Sequence, residues 1–71
     1  MKLHYYPETD SLYIELKPSS GVETREVSPG LNVDLDAGGN VVGFDIDRAS
    51  QKLDLSTLET VELPVKPKEV A

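Results

Sequence analysis

The chain has 71 residues, no cysteine, and thirteen acidic against seven basic residues, for a formal net charge of −6. That is room for one small domain, near the lower limit of what folds without help. A disulfide framework and a Cys-based zinc site are excluded. The acidic balance argues against autonomous nucleic-acid binding, because phosphates attract clustered Lys and Arg.

Residues 1–6 begin a strand pattern at once, which leaves no apolar run for a signal peptide. No stretch approaches the roughly 20 apolar residues of a bilayer span, so cytoplasmic residence without membrane attachment is the expectation. Leu3 and Tyr5 share a phase, Pro7-Glu8-Thr9-Asp10 supplies turn chemistry, and residues 11–16 resume the alternation with Leu12, Ile14 and Leu16 on one face. Closing that loop between Tyr6 and Ser11 pairs Tyr5 with Leu12, Leu3 with Ile14 and His4 with Tyr13. It also sets Lys2 against Glu15, an opposite-charge pair across strands.

Pro18-Ser19-Ser20-Gly21 turns the chain again. In the next segment, residues 22–27, Val22 and Val27 lie in opposite phases with charges between them, which reads as a bulged edge strand. The clearest pattern follows Ser28-Pro29-Gly30. Leu31, Val33 and Leu35 alternate with Asn32, Asp34 and Asp36; after Gly38-Gly39, Val42, Phe44 and Ile46 alternate with Gly43, Asp45 and Asp47. A two-residue Gly-Gly turn or a four-residue loop over 37–40 gives the same register, Leu35 facing Val42, Val33 facing Phe44 and Leu31 facing Ile46. Then the period changes. Asp47 is placed to cap a short helix over 48–53, with Ala49 and Leu53 on one face. Ser56-Thr57-Leu58-Glu59 fits a capping box, and residues 60–63 fit a short strand equally well. The expected fold class is α+β, mostly β: an antiparallel meander of about five strands with a short C-terminal helix. It forms one domain over 1–63, with a frayed tail over 64–71.

Several spaced motifs agree in order with one family. Residues 5–14, with an aromatic, a turn and Asp10-Ser11-Leu12-Tyr13-Ile14, resemble the opening of the domain of unknown function 2283 family. The similarity continues at Thr24-Arg25-Glu26-Val27, Pro29-Gly30, Val42-Gly43-Phe44-Asp45-Ile46 and Ala49-Ser50. That family usually carries Glu where Asp45 stands and often Ile where Phe44 stands. The resemblance, over roughly residues 3–53, implies a small, mostly prokaryotic β domain with a short helix and no established activity. It also implies that small toxin-like proteins are encoded beside some members.

Asn32, Asp34, Asp36, Asp45 and Asp47 project from the non-core face of the long hairpin. Such oxygens suit a hard cation, with Asp34, Asp45 and Asp47 as the metal candidates. A flat sheet offers ligands from one side only and no EF-hand spacing is present, so a solvated acidic face is the plainer reading. Used as an acid and base pair, the same groups need a pocket to part their pKa values. His4, the only histidine, is expected to stack on Tyr13 rather than ligate a metal. Gly38-Gly39 reads as a hairpin turn and not a phosphate loop. Gly43 marks a bulge or a close approach, either under an aromatic such as Tyr6 or Tyr13 or against another subunit. No serine sits in a nucleophile elbow.

No catalytic residue, cofactor or resident metal is therefore expected. Arg25, Arg48 and Tyr13 are the candidate partner contacts, Arg48 also being suited to pair with Asp45 or Asp47. Apolar burial in so small a chain barely offsets conformational entropy, so a homo-oligomer is expected. The chain reads as a non-enzymatic interaction module, self-associating or binding a protein. The alternative is an acidic, antitoxin-like neutraliser of a basic protein. The competing class is a divalent-metal-dependent hydrolase using Asp34 and Asp45.

Overall fold

Alternation of apolar and polar residues becomes five strands and one helical turn in the computed structural model, which describes residues 1–64. The strands are β1 (Lys2–Tyr6), β2 (Ser11–Glu15), β3 (Glu23–Ser28), β4 (Leu31–Leu35) and β5 (Val41–Ile46), followed by the helix α1 (Ala49–Lys52). All ladders are antiparallel, and the sheet order is β1-β2-β5-β4-β3. The hairpin β1-β2 thus docks on the last strand of the meander β3-β4-β5. Residues 17–22 carry the chain from β2 to the far edge.

The first hairpin has the register that alternation requires: Leu3 opposite Ile14, His4 opposite Tyr13, and Tyr5 opposite Leu12. Lys2 Nζ lies 3.9 Å from a Glu15 carboxylate oxygen. The β2-β5 ladder then sets Leu12 against Ile46 and Ile14 against Phe44, while β4 adds Leu31 beside Ile46 and Val33 beside Phe44. One face of the sheet is therefore a continuous apolar stripe. As expected, β3 is an exposed edge, and its register shifts between Glu26 and Ser28, which leaves Val27 out of the ladder.

Three expectations are corrected. First, Leu35 pairs with Val41 and not Val42. The tip closes as a three-residue loop over 37–39: Gly39 N–H donates to the Asp36 carbonyl, and Asp36 N–H to the Asn40 carbonyl. Gly39 takes φ 83°, a left-handed conformation that glycine enters without steric cost. An odd loop shifts the pairing by one residue, and a bulge at Val42 restores it by Asp34 and Gly43. Second, the helix is one turn only. The backbone is already extended at Leu53, so Leu53 leaves the face that Ala49 buries. Third, residues 56–63 form neither helix nor strand; Ser56 donates its N–H to the Asp54 carboxylate instead of opening a capping box. The expected tail beyond Pro64 lies outside the described residues.

The core is correspondingly small. Leu12, Ile46 and Ala49 pack together with Ile14 and Leu31 against them, and Val42 is the largest fully enclosed side chain, at 1% exposure. Among the described residues, no helix is long and apolar enough to cross a membrane. The bulge separates two adjacent valines energetically. Removing two methyl groups from Val42 (Val42→Ala) should cost about 1.5–3 kcal/mol in urea unfolding, transfer and cavity terms together. Val41→Ala, at a half-exposed position, should stay within about 0.5 kcal/mol of the parent.

Candidate functional site

Two polar clusters are built by this framework, one at the end of the sheet and one on its acidic face. The first centres on Asp10, whose φ of 51° turns the chain between β1 and β2. Asp tolerates that left-handed region better than most residues, because its short side chain bonds locally. The Asp10 carbonyl accepts the Ala49 N–H at 2.8 Å. One carboxylate oxygen accepts the Ser50 N–H at 3.1 Å and the Tyr5 hydroxyl at 2.7 Å, and the other accepts the Ser50 hydroxyl at 2.6 Å. Hydrogen bonds from Ser50, then from Tyr5, hold the Asp10 carboxyl below its ordinary value, and in return Asp10 raises the Tyr5 phenol.

Asp10 therefore does the work expected of Asp47. The helix is preceded by Arg48 in a left-handed conformation with no side-chain cap from its own flank, and its first N–H groups are met by a residue forty positions earlier. The sequence marks Asp10 only as a turn residue. What it serves becomes apparent once the β1-β2 turn and the start of the helix are brought together.

The second cluster lies on the opposite face. Tyr13 on β2 reaches across β5 and donates its hydroxyl to Asp34 on β4 at 2.8 Å, while Thr24 on β3 donates to the other Asp34 oxygen at 2.8 Å. The strand between them makes room through Gly43: a Cβ there would stand 2.2 Å from the Tyr13 hydroxyl oxygen and 2.7 Å from its ring carbon. Of the readings open for Gly43, close approach beneath Tyr13 is the one realised. The bond to Asp34 pushes the Tyr13 phenol up to about 12. Beside it, burial raises the Asp45 carboxyl, with the charges of Asp47 and Asp34 adding to the shift.

His4 does not stack on Tyr13. Its ring lies on Tyr6, centroids 4.1 Å apart, because both residues share a face of β1 and Tyr13 is drawn toward Asp34. The metal candidates Asp34, Asp45 and Asp47 are close enough to interact electrically. Both Asp34 oxygens, however, are occupied by hydroxyl donors. Among the described residues, no group of three or more His, Cys, Asp or Glu is placed to hold a metal ion. Asn32 stands opposite Asp45 as the register requires, and Asp36 is absorbed into the hairpin tip, accepting the N–H groups of Gly38 and Asn40. Arg25 is ion-paired to Glu23 along β3. Arg48 makes no ion pair with Asp45 or Asp47; with Asp47 and Lys52 it lines an open groove of about 450 Å³ over Pro29 and Gly30.

Residues 2–50 match the family described as Protein of unknown function (DUF2283). The chain belongs to this family. No curated protein and no solved structure matches it. The region shared with the DUF2283 model runs from the first strand to Ser50, so it contains both halves of the Asp10–Ser50 contact and all of the Tyr13–Gly43–Asp34 crossing.

Gly43→Ala should destabilise this DUF2283 domain by about 1–3 kcal/mol in urea unfolding, since Tyr13 must swing off Asp34 to admit the methyl group. The two shifted aspartates should respond to pH with opposite signs. The folded value of Asp10 is lowered, so its stabilisation is present above the ordinary carboxylate range and is lost as pH falls through that lowered value. Asp10→Asn should lower the thermal midpoint at neutral pH, with the gap to the parent closing on acidification. The folded value of Asp45 is raised, so its charge opposes folding once pH rises through that value. Asp45→Asn should raise the midpoint at neutral pH, and that gain should vanish below the ordinary carboxylate range.

Proposed function

We propose that this DUF2283 domain is a non-enzymatic interaction module that holds a protein partner against the apolar face of its sheet. The observation that carries the reading is how little of that face the described residues cover. One helical turn shields the Leu12–Ile46 end, while Leu3 and Tyr5 on the same face remain 46% and 41% exposed and Ile14 and Phe44 are only half-buried. Leu53, Leu55, Leu58, Val61 and Leu63 also stand exposed after the helix. Uncovered apolar surface of this kind favours association. The polar clusters support the same reading: Asp10 and Asp34 are each satisfied by donors of their own chain, with Tyr5 and Ser50 on one and Tyr13 and Thr24 on the other. A prokaryotic, cytoplasmic setting belongs to this proposal.

A photo-reactive benzoylphenylalanine at position 44 puts a probe at the centre of the apolar face, an aromatic for an aromatic. The same probe at position 26 on β3 is the control. Irradiation in native lysate should give adducts from position 44, well above the control, with one protein or with the chain itself. Adducts scattered over abundant proteins, or no excess over position 26, would overturn the module. A single basic partner whose yield falls with added salt would make the module an acidic neutraliser, since electrostatic steering is screened.

A further inference from the structure

We propose that β1 is a self-recognition strand: two copies pair their β1 edges antiparallel about a two-fold axis at His4, merging two five-stranded sheets into one. The proposal rests on the interaction-module reading and deepens it: two copies joined at their β1 edges present that apolar face as one doubled surface. Among the described residues the sheet order leaves two edges, β1 and β3. Natural sheets guard edges with bulges and charges. β3 has both, a register shift at Val27 and the charged run Glu23, Arg25 and Glu26. β1 has neither. All five of its residues are exposed, it contains no carboxylate or proline, and its only fixed charge, Lys2, is turned to Glu15.

The backbone of that edge has a defined polarity. Leu16 N–H donates to the Val42 carbonyl on the β5 side. Successive groups of a strand point alternately to its two neighbours, so Ser11, Tyr13 and Glu15 bond toward β1. Their partners Tyr6, His4 and Lys2 are thereby used, and the N–H and C=O of Leu3 and Tyr5 face outward. A two-fold axis at His4 sets Leu3 of each copy opposite Tyr5 of the other, and every one of those outward groups finds a partner. Moving the axis to Tyr5 would bring Leu3 against Pro7, which has no N–H to give.

The side chains agree with that register. Leu3 and Tyr5 lie on the apolar face, so the joined sheets carry one uninterrupted oily surface across the axis, and Lys2 comes to rest beside the partner's Tyr6. Charge selects the same contact. In a chain of net charge −6, β1 is the one strand whose self-pairing brings no carboxylates together. A contact of a surface with itself is the commonest symmetric solution.

The test uses the lack of cysteine in the chain. Facing residues in a non-hydrogen-bonded antiparallel pair have Cα atoms about 4.5 Å apart, within disulfide reach. Under mild oxidation His4→Cys should cross-link into dimers at least about tenfold faster than Ser20→Cys on the exposed 17–22 loop, because the thiols are held together. In sedimentation the parent should approach twice the chain mass at high concentration. Leu3→Lys should sediment as one chain while remaining folded by circular dichroism. The proposal fails if the parent stays monomeric at millimolar concentration, or if His4→Cys cross-links no faster than Ser20→Cys. It also fails if Leu3→Lys leaves the dimer intact. Failure here with a reproducible foreign adduct at position 44 would spare the module and remove only the second copy. Failure of both would remove the module itself.

Discussion

The ladder between β2 and β5 is the constraint on which the rest of the molecule depends. A two-stranded hairpin alone is marginal in water, and among the described residues a single helical turn is the one element laid over the sheet. Setting Leu12 against Ile46 and Ile14 against Phe44 fuses two half-stable ribbons into one sheet. The same pairing brings the Asp10 turn to the start of the helix and Tyr13 alongside Gly43. Both polar clusters are consequences of that one junction.

Each cluster secures the junction by a different means. Asp10 clamps the end of the sheet, holding the helix by main-chain and carboxylate contacts together, so that Ala49 stays fully buried against Leu12 and Ile46. Tyr13 and Asp34 act across the middle, spanning from β2 to β4 over a strand thinned to a glycine, and Thr24 extends the link to β3. Together they couple four of the five strands through side chains as well as backbone. Burial of Asp45, with repulsion from Asp47 and Asp34, works against them, and both show in the raised Asp45 carboxyl.

Local pattern carried much of this architecture. Pairing within each hairpin, apart from the Leu35 rung, and the exposed, bulged β3 follow from alternation and turn chemistry, because those interactions span few residues. A glycine inside a strand marks Gly43 as special without naming what approaches it. The family resemblance over residues 3–53 agrees with the match over 2–50. What the pattern could not supply was contact between distant segments. The β2-β5 pairing, the Asp10–Ser50 bonds and the diversion of Tyr13 from His4 to Asp34 all join residues more than twenty positions apart or depend on such a joining. The Asp47 cap fails for the same reason: the local candidate is displaced by Asp10, an acceptor that only the tertiary fold brings to the helix. The helix stops short of the expected span because Leu53 has a helical spacing from Ala49 but an extended backbone, so that spacing no longer sets its face.

The tip of the long hairpin behaves as a phase corrector. Between Asp34 and Gly43, straight strands on a tight two-residue reversal would reach the same rung as the observed wider loop with one residue pushed aside at Val42. Both solutions rejoin the ladder at the same rung. A length change at the Gly38-Gly39 apex is therefore damped within a few residues and never reaches Tyr13, β2 or the clamp beyond. Variation can accumulate at that end of the molecule while the opposite end, tied by residues forty positions apart, stays unforgiving.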